Sequence, residues 1–182
     1  MIKGLFYLNE TNFVLQPSPD GKGKLLTIAE EKGLSDLREG LTLVLFYSNN
    51  CTYCDSTLLE YKQLPKSLLG CNFSMINLNN NSKLISMTKE TINPITFVPE
   101  IVLYYNSLPY VHYEGEHKVD DIKSFIMTIS SKLEQSLSFV SKKEITSEEI
   151  ISEKPKIEMI KPYKKTKRGV CYVKGNKLIC DE

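Results

Sequence analysis

The stretch that most restricts how this chain folds is Leu43-Val44-Leu45-Phe46-Tyr47, followed by Ser48-Asn49-Asn50 and then Cys51-Thr52-Tyr53-Cys54. An apolar, β-branched and aromatic run reads as a buried strand, and two asparagines break it just before a Cys-x-x-Cys pair that opens a helix. Strand, turn, Cys-x-x-Cys and helix together form a redox signature. The nucleophile in thiol chemistry is the thiolate, and the unpaired N–H groups and positive dipole end of a helix lower the pKa of a thiol placed there. Cys51 holds that place. Cys54 lies three residues on, almost one helical turn away on a similar face, within reach of a mixed disulfide formed on Cys51. Cys51 is thus the candidate nucleophile and Cys54 the candidate resolving thiol.

From about Leu41 to Ser136 the chain resembles a thioredoxin-like domain. The resemblance rests on the strand ending at Tyr47, Cys51-x-x-Cys54, the helix after it, a strand near Phe73–Leu78, and Phe97-Val98-Pro99 entering the apolar run Glu100-Ile101-Val102-Leu103-Tyr104-Tyr105. The interval from Pro99 to Gly115 is also similar to thioredoxins, where a glycine follows the last strand and precedes the final helix. The resemblance implies an α/β fold with a central mixed sheet flanked by helices, and a cis peptide bond before Pro99. It implies a thiol–disulfide oxidoreductase that uses no cofactor and no metal, acting on a disulfide-containing protein substrate with a separate electron donor or acceptor. The substrate is expected along Val98, whose backbone would pair with it in strand-like fashion. Pro99 would shape the groove and keep metal off the thiolates, with Thr52 and Tyr53 beside it.

Several residues depart from that family. Asn50 stands where thioredoxins have Trp, Thr52-Tyr53 replaces Gly-Pro, and the chain has no Trp. Leu45 occupies the place of the buried carboxylate that helps deprotonate the second Cys, so resolution is expected to be slower or solvent-assisted. The His of disulfide-isomerase motifs is absent between the cysteines, which disfavours a strong oxidant. A different class competes: a thioredoxin-fold binding or structural module that recruits a partner through its flanking arms without turnover.

The chain of 182 residues, 41% hydrophobic, suffices for one substantial core plus extensions. Its net charge of +1 argues against a whole-protein field built for nucleic acid or an acidic membrane. The apolar run at Met1–Asn9 is too short for a signal peptide, and no stretch of ~18 apolar residues would span a bilayer. These features predict a soluble, cytoplasmic protein. In a reducing compartment its five cysteines favour a catalytic over a stapling Cys-x-x-Cys. The texture, with Asn79-Asn80-Asn81, much Lys and Ile and no Trp, is similar to proteins of AT-rich genomes, including large DNA viruses that carry thioredoxin-like proteins; a virion location then joins the cytoplasmic one.

Four regions are expected. Residues 1–40 form an N-terminal arm with a leading strand and helix, 41–137 the thioredoxin-like core, 138–168 a charged linker or tail, and 169–182 a C-terminal β-hairpin. In the arm, Ile2–Tyr7 and Phe13–Leu15 suggest short strands, Pro17–Gly23 a turn, and Leu25–Leu37 a helix broken at Gly33. The core adds a helix over Thr52–Leu64, closed by Pro65. A short helix capped by Ser82 follows, then a return strand at Tyr110–Glu114. The final helix carries Val119, Ile122, Phe125, Ile126, Ile129 and Leu133 on one face. The basic cluster Lys161–Arg168 reads as a solvated tail, with a docking or nucleic-acid contact as the alternative.

In the last region a hairpin around Gly175-Asn176 would set Lys174 against Lys177, Val173 against Leu178, Tyr172 against Ile179 and Cys171 against Cys180. Cys171 and Cys180 would then fall in a non-hydrogen-bonded pair, where Cα atoms approach closely enough for a second disulfide. A zinc site of Cys51, Cys54, His112 and His117 fails on spacing, since the pairs stand far further apart than the ~12–15 residues of finger motifs. Both histidines flank a turn and read as exposed polar side chains. Cys71 reads as a packed thiol.

Overall fold

Residues 41–47 form β4 (Leu41–Tyr47), the middle strand of a five-stranded sheet. The computed structural model describes residues 4–30, 35–92, 94–143, 171–174 and 177–180, with 137–143 and the last two stretches described by their backbone alone. Leu41 to Phe46 are all buried, as a strand covered on both faces requires; this is why its sequence is a continuous apolar run without alternation. On one side β4 pairs in parallel with β5 (Cys71–Asn77), Leu41 opposite Cys71 and Tyr47 opposite Asn77. On the other it pairs antiparallel with β7 (Glu100–Tyr105), Phe46 opposite Glu100. β1 (Leu5–Tyr7) closes one edge, parallel to β5, and β8 (Leu108–His112) closes the other, antiparallel to β7. The sheet is therefore mixed, with order β1-β5-β4-β7-β8.

Side chains alternate across β4 and build a separate cluster on each face. Val44 and Phe46 pack with Val102, Tyr104, Cys51 and Cys54, whereas Leu43 and Leu45 pack with Tyr61, Phe73, Ile101 and Leu103. The helices that follow are α1 (Ser35–Arg38), α2 (Thr52–Tyr61), α3 (Leu64–Ser67), α4 (Ser82–Lys89) and α5 (Val119–Lys143). Ile122 and Ile126 bury the expected face of α5 against the second cluster. Its backbone runs on to Lys143, into the stretch read as a linker; 144–168, with the basic cluster, lie outside the described residues.

Four local expectations are corrected. Residues 24–28 are a strand, β3 (Lys24–Ile28), paired antiparallel with β2 (Phe13–Pro17), so the turn cluster joins two strands; among the described residues of the expected helix, Leu25–Leu37, helix begins only at Ser35. Pairing buries Leu25, Leu26 and Ile28 on a ladder, which a helix carrying Gly33 could not match. The helix after Cys51 ends at Tyr61, and Pro65 sits in the first turn of α3, where its missing N–H costs nothing. Asn81 rather than Ser82 holds the N-cap of α4. The return strand starts at Leu108, because Asn106 and Ser107 both adopt positive φ (48° and 70°) and turn the chain in two residues.

Tyr61 anchors α2 to the sheet. Its hydroxyl lies 2.8 Å from the Leu43 carbonyl and 3.0 Å from that of Ser74, and its ring meets Phe73 edge-on at 6.3 Å. Tyr61→Phe is expected to lower unfolding free energy by about 1 kcal/mol, the net worth of a buried hydrogen bond. Tyr61→Ala is expected to cost about 3–5 kcal/mol through the cavity it opens. Urea denaturation of the two variants checks both values.

Beyond the core, β9 (Cys171–Lys174) and β10 (Lys177–Cys180) form an antiparallel pair in the register expected, Cys180 opposite Cys171. The turn residues Gly175 and Asn176 lie outside the described residues, as do the side chains of Cys171 and Cys180. β9 pairs in turn with β6 (Phe97–Val98): Phe97 is opposite Tyr172 and Val98 opposite Cys171.

Candidate functional site

The site lies where β4 hands over to α2. Asn79, in the turn after β5, accepts through Oδ1 from the Ser48 hydroxyl at 2.7 Å and from the Asn49 amide at 2.9 Å, and the Asn50 amide donates to Ser48 Oγ at 3.2 Å. This small network fixes the loop that delivers Cys51. The sequence marked Asn79 as a turn former; only the fold brings it beside residues 48–50.

Cys51 is the N-cap of α2, extended in backbone (φ −131°, ψ 104°). Its carbonyl accepts from the amides of Cys54 at 2.9 Å and Asp55 at 3.3 Å, and its sulfur accepts from the Cys54 amide at 3.2 Å. A sulfur that accepts an N–H at a helix start is favoured as thiolate, by direct hydrogen bonding and by the helix dipole. Cys54 is fully buried (0% exposed), and its thiol is pushed far above the usual range, first by the hydrogen bond shared with Cys51 and then by burial. Of the two thiols, then, Cys54 is the one that gives up its proton last. Among the described residues no disulfide joins any two of Cys51, Cys54 and Cys71; Cys71 is buried and donates to the Asn72 carbonyl at 3.3 Å.

Opposite the helix start stand Val98 and Pro99, joined by a cis peptide bond. The Val98 carbonyl accepts from Cys51 Sγ at 3.7 Å. Thr52 and Tyr53 are exposed beside the pair, Tyr53 by half (50%). The structure thus brings Cys51, Cys54, Val98, Pro99, Thr52 and Tyr53 to one end of the sheet. Cys51 itself is only 3% exposed, less than its position in the sequence suggests. Leu45 is fully buried with Tyr61, Met75 and Ile101, so no carboxylate occupies that place.

The two histidines are not the exposed groups expected. His112 Nδ1 pairs with Glu100 Oε1, with side chains only 14% and 7% exposed, and Glu100 Oε2 is buried without a hydrogen-bond partner among the described residues. Glu100 faces Phe46 in register, on the sheet side of the cysteines. A glutamate inside an apolar strand run was the signal available, since a carboxylate there needs a partner. His117 Nδ1 lies 2.9 Å from Thr57 Oγ1, and its ring packs near Tyr113 at 6.0 Å. Among the described residues, no group of three or more His, Cys, Asp or Glu is placed to hold a metal ion.

Burial holds the His117 pKa below its ordinary value of 6.5. The unfolded chain therefore takes up a proton at this site before the folded one does, so its stabilising contribution is complete above about pH 6.5 and declines as the pH falls below it. Unfolding free energy measured from pH 7.5 to 5 should drop more steeply for the native sequence than for His117→Asn, which removes the titrating group.

A sheet of this order, with a Cys-x-x-Cys at the start of the helix after its middle strand and a proline-led strand alongside, defines a thioredoxin-fold protein with paired thiols. The thioredoxin family model matches residues 27–128, and the chain belongs to the thioredoxin family. It is similar to uncharacterized protein 196R of invertebrate iridescent virus 6, 26% identical over 129 residues that cover 70% of this chain and 72% of that protein. Relatives in large DNA viruses agree with the composition noted above. Among solved structures, thioredoxin f2 of Chlamydomonas reinhardtii is 22% identical with a TM-score of 0.47, covering 68% of this chain and 94% of that one. Human ERp44, form I, is 14% identical with a TM-score of 0.45, covering 54% of this chain; the match spans only 28% of that longer protein.

Proposed function

We propose that the protein is a thiol–disulfide oxidoreductase. The observation that carries this reading is the division of labour between two adjacent sulfurs: Cys51 accepts an amide at the helix start, while Cys54 is buried and held as a thiol behind it. The Cys51 thiolate attacks a substrate disulfide, forming a mixed disulfide and expelling one substrate thiolate, which takes a proton. Cys54 then loses its proton, attacks Cys51 Sγ, and releases the second substrate thiolate as the Cys51–Cys54 disulfide forms. An external dithiol donor restores the pair. Val98 supplies a backbone edge for an extended substrate, with Pro99, Thr52 and Tyr53 lining the approach.

The partners of this reading are a disulfide-bearing protein and a dithiol donor, with the tail as a docking element. Its location is the cytoplasm or, for a viral protein, the virion; no helix among the described residues is long and apolar enough to cross a membrane. Insulin reduction with dithiothreitol as donor tests it. The full chain should raise the rate at least about tenfold over dithiothreitol alone, a small fraction of the acceleration enzymes supply. A rate equal to that of dithiothreitol alone would overturn it in favour of a binding module without turnover, a reading that the burial of Cys51 supports.

A further inference from the structure

The edge expected to receive a substrate strand is already paired. β6 is only two residues long, and its antiparallel partner is β9, with Val98 opposite Cys171. Val98 is also the residue whose carbonyl touches the Cys51 sulfur. One residue is therefore flanked by the reactive thiol on one side and by a cysteine of the C-terminal hairpin on the other. The hairpin register places Cys180 across from Cys171, at the opposed position where Cα atoms stand ~4.5–5.5 Å apart, within the span a disulfide bridges. The near-complete burial of Cys51 fits the same picture, because a nucleophile waiting for an outside strand would stand open to solvent.

We propose that the C-terminal hairpin is a tethered redox partner of the active site: it binds as a substrate strand on Val98 and presents Cys171, paired with Cys180, to Cys51. This rests on the oxidoreductase reading above. In the forward step the Cys51 thiolate attacks Sγ of Cys171 in a Cys171–Cys180 disulfide. The bond between those two sulfurs breaks, Cys180 leaves as a thiolate and takes a proton, and a Cys51–Cys171 bond forms. Cys54 gives up its proton and attacks Cys51, which forms Cys51–Cys54 and releases Cys171 as a thiol. Two electrons and the Cys54 proton pass from one pair to the other, and the second proton, taken up by Cys180, comes from water and replaces the one Cys51 released on ionising. The hairpin thiols then reduce an external protein disulfide, while a dithiol donor restores Cys51 and Cys54. Tethering makes the internal encounter intramolecular, so that its rate does not depend on protein concentration. An outside strand must displace β9 to reach Val98, so a hairpin docked for nine-tenths of the time would weaken direct binding about tenfold.

The test uses the full chain carrying Cys54→Ser and Cys180→Ser, so that neither resolving thiol remains. After mild oxidation with oxidised glutathione at low protein concentration, peptide mapping should find Cys51 joined to Cys171 within one chain as the main product. Adding Tyr172→Pro, which breaks the pairing with Phe97, should cut that product at least about tenfold while far-UV circular dichroism is retained. Cys51 carrying glutathione with Cys171 unlinked to it, or a yield unaffected by Tyr172→Pro, would overturn the proposal. A companion chain with Cys54→Ser, Cys171→Ser and Cys180→Ser is offered insulin. If it captures insulin on Cys51 while the internal link fails to form, the hairpin proposal falls and the oxidoreductase reading stands. If neither link forms, both fall.

Discussion

With Cys54 replaced by serine, the mixed disulfide between Cys51 and its partner is expected to accumulate instead of turning over. The argument follows from the two sulfurs. Cys51 keeps the amide that favours its thiolate, since the Cys54 N–H donor belongs to the backbone and survives the substitution. Attack on a substrate disulfide is therefore preserved. What is lost is the second attack: a serine hydroxyl does not displace a thiolate from a disulfide at neutral pH, and the experiment is made in a chain that also carries Cys171→Ser and Cys180→Ser, so that no hairpin thiol takes the place of Cys54. The protein-dependent part of insulin reduction should disappear, leaving the rate of dithiothreitol alone, as expected when a covalent step loses its reacting group. Intact-mass analysis should show the adduct on Cys51. Cys51→Ser should lose the same turnover with no adduct at all. Turnover by Cys54→Ser within about threefold of the native rate would contradict the assignment of Cys54 as resolving thiol.

The second large effect lies in the alkaline range and depends on oxidation state. The Cys54 thiol in the folded protein ionises only far above its ordinary range, because its proton is shared with Cys51 and its surroundings are apolar. In the unfolded chain it ionises at about pH 8.5. Above that pH the folded state holds a proton that the unfolded state has released, so the stabilising contribution is complete below pH 8.5 and is lost as the pH rises. The disulfide form has no such proton. The melting temperature of the reduced protein should thus fall between pH 8.5 and 10.5 while the oxidised protein changes less, both sharing any effect of the buried tyrosines Tyr61 and Tyr104, whose hydroxyls burial also pushes up. Parallel curves for the two forms would mean that Cys54 ionises normally. Cys54→Ala, which has no thiol to titrate there, should under reducing conditions lose the extra fall that the reduced native protein shows.

The parts of this arrangement that were readable before folding are those written in local order. The β4 run, the break at Asn49-Asn50 and the helix-opening cysteines occupy consecutive residues, and Val98-Pro99 announces itself by the apolar strand behind it. The α5 face was legible because its period is helical and its length is ample. What escaped depends on contacts between distant segments. Leu25–Ile28 carries enough leucine to pass for a helix until β2 is placed beside it. Pro65 reads as a stop or a start depending on whether a new turn follows. Glu100 and His112 are separated by a hairpin, so their pairing required the register of β7 and β8 to be known. The hairpin register at Cys171 and Cys180 could be derived from its turn, whereas its attachment to β6 could not.

Asn79 carries a consequence of its own. Its side-chain oxygen receives both the Ser48 hydroxyl and the Asn49 amide, and an aspartate would satisfy those two donors equally well. The aspartate would differ only by its full negative charge, set near the end of α2 where the peptide dipoles help Cys51 shed its proton. Asn79→Asp would therefore keep both hydrogen bonds to the loop while its charge, held at Asn49, two residues in sequence from Cys51, made that sulfur harder to ionise.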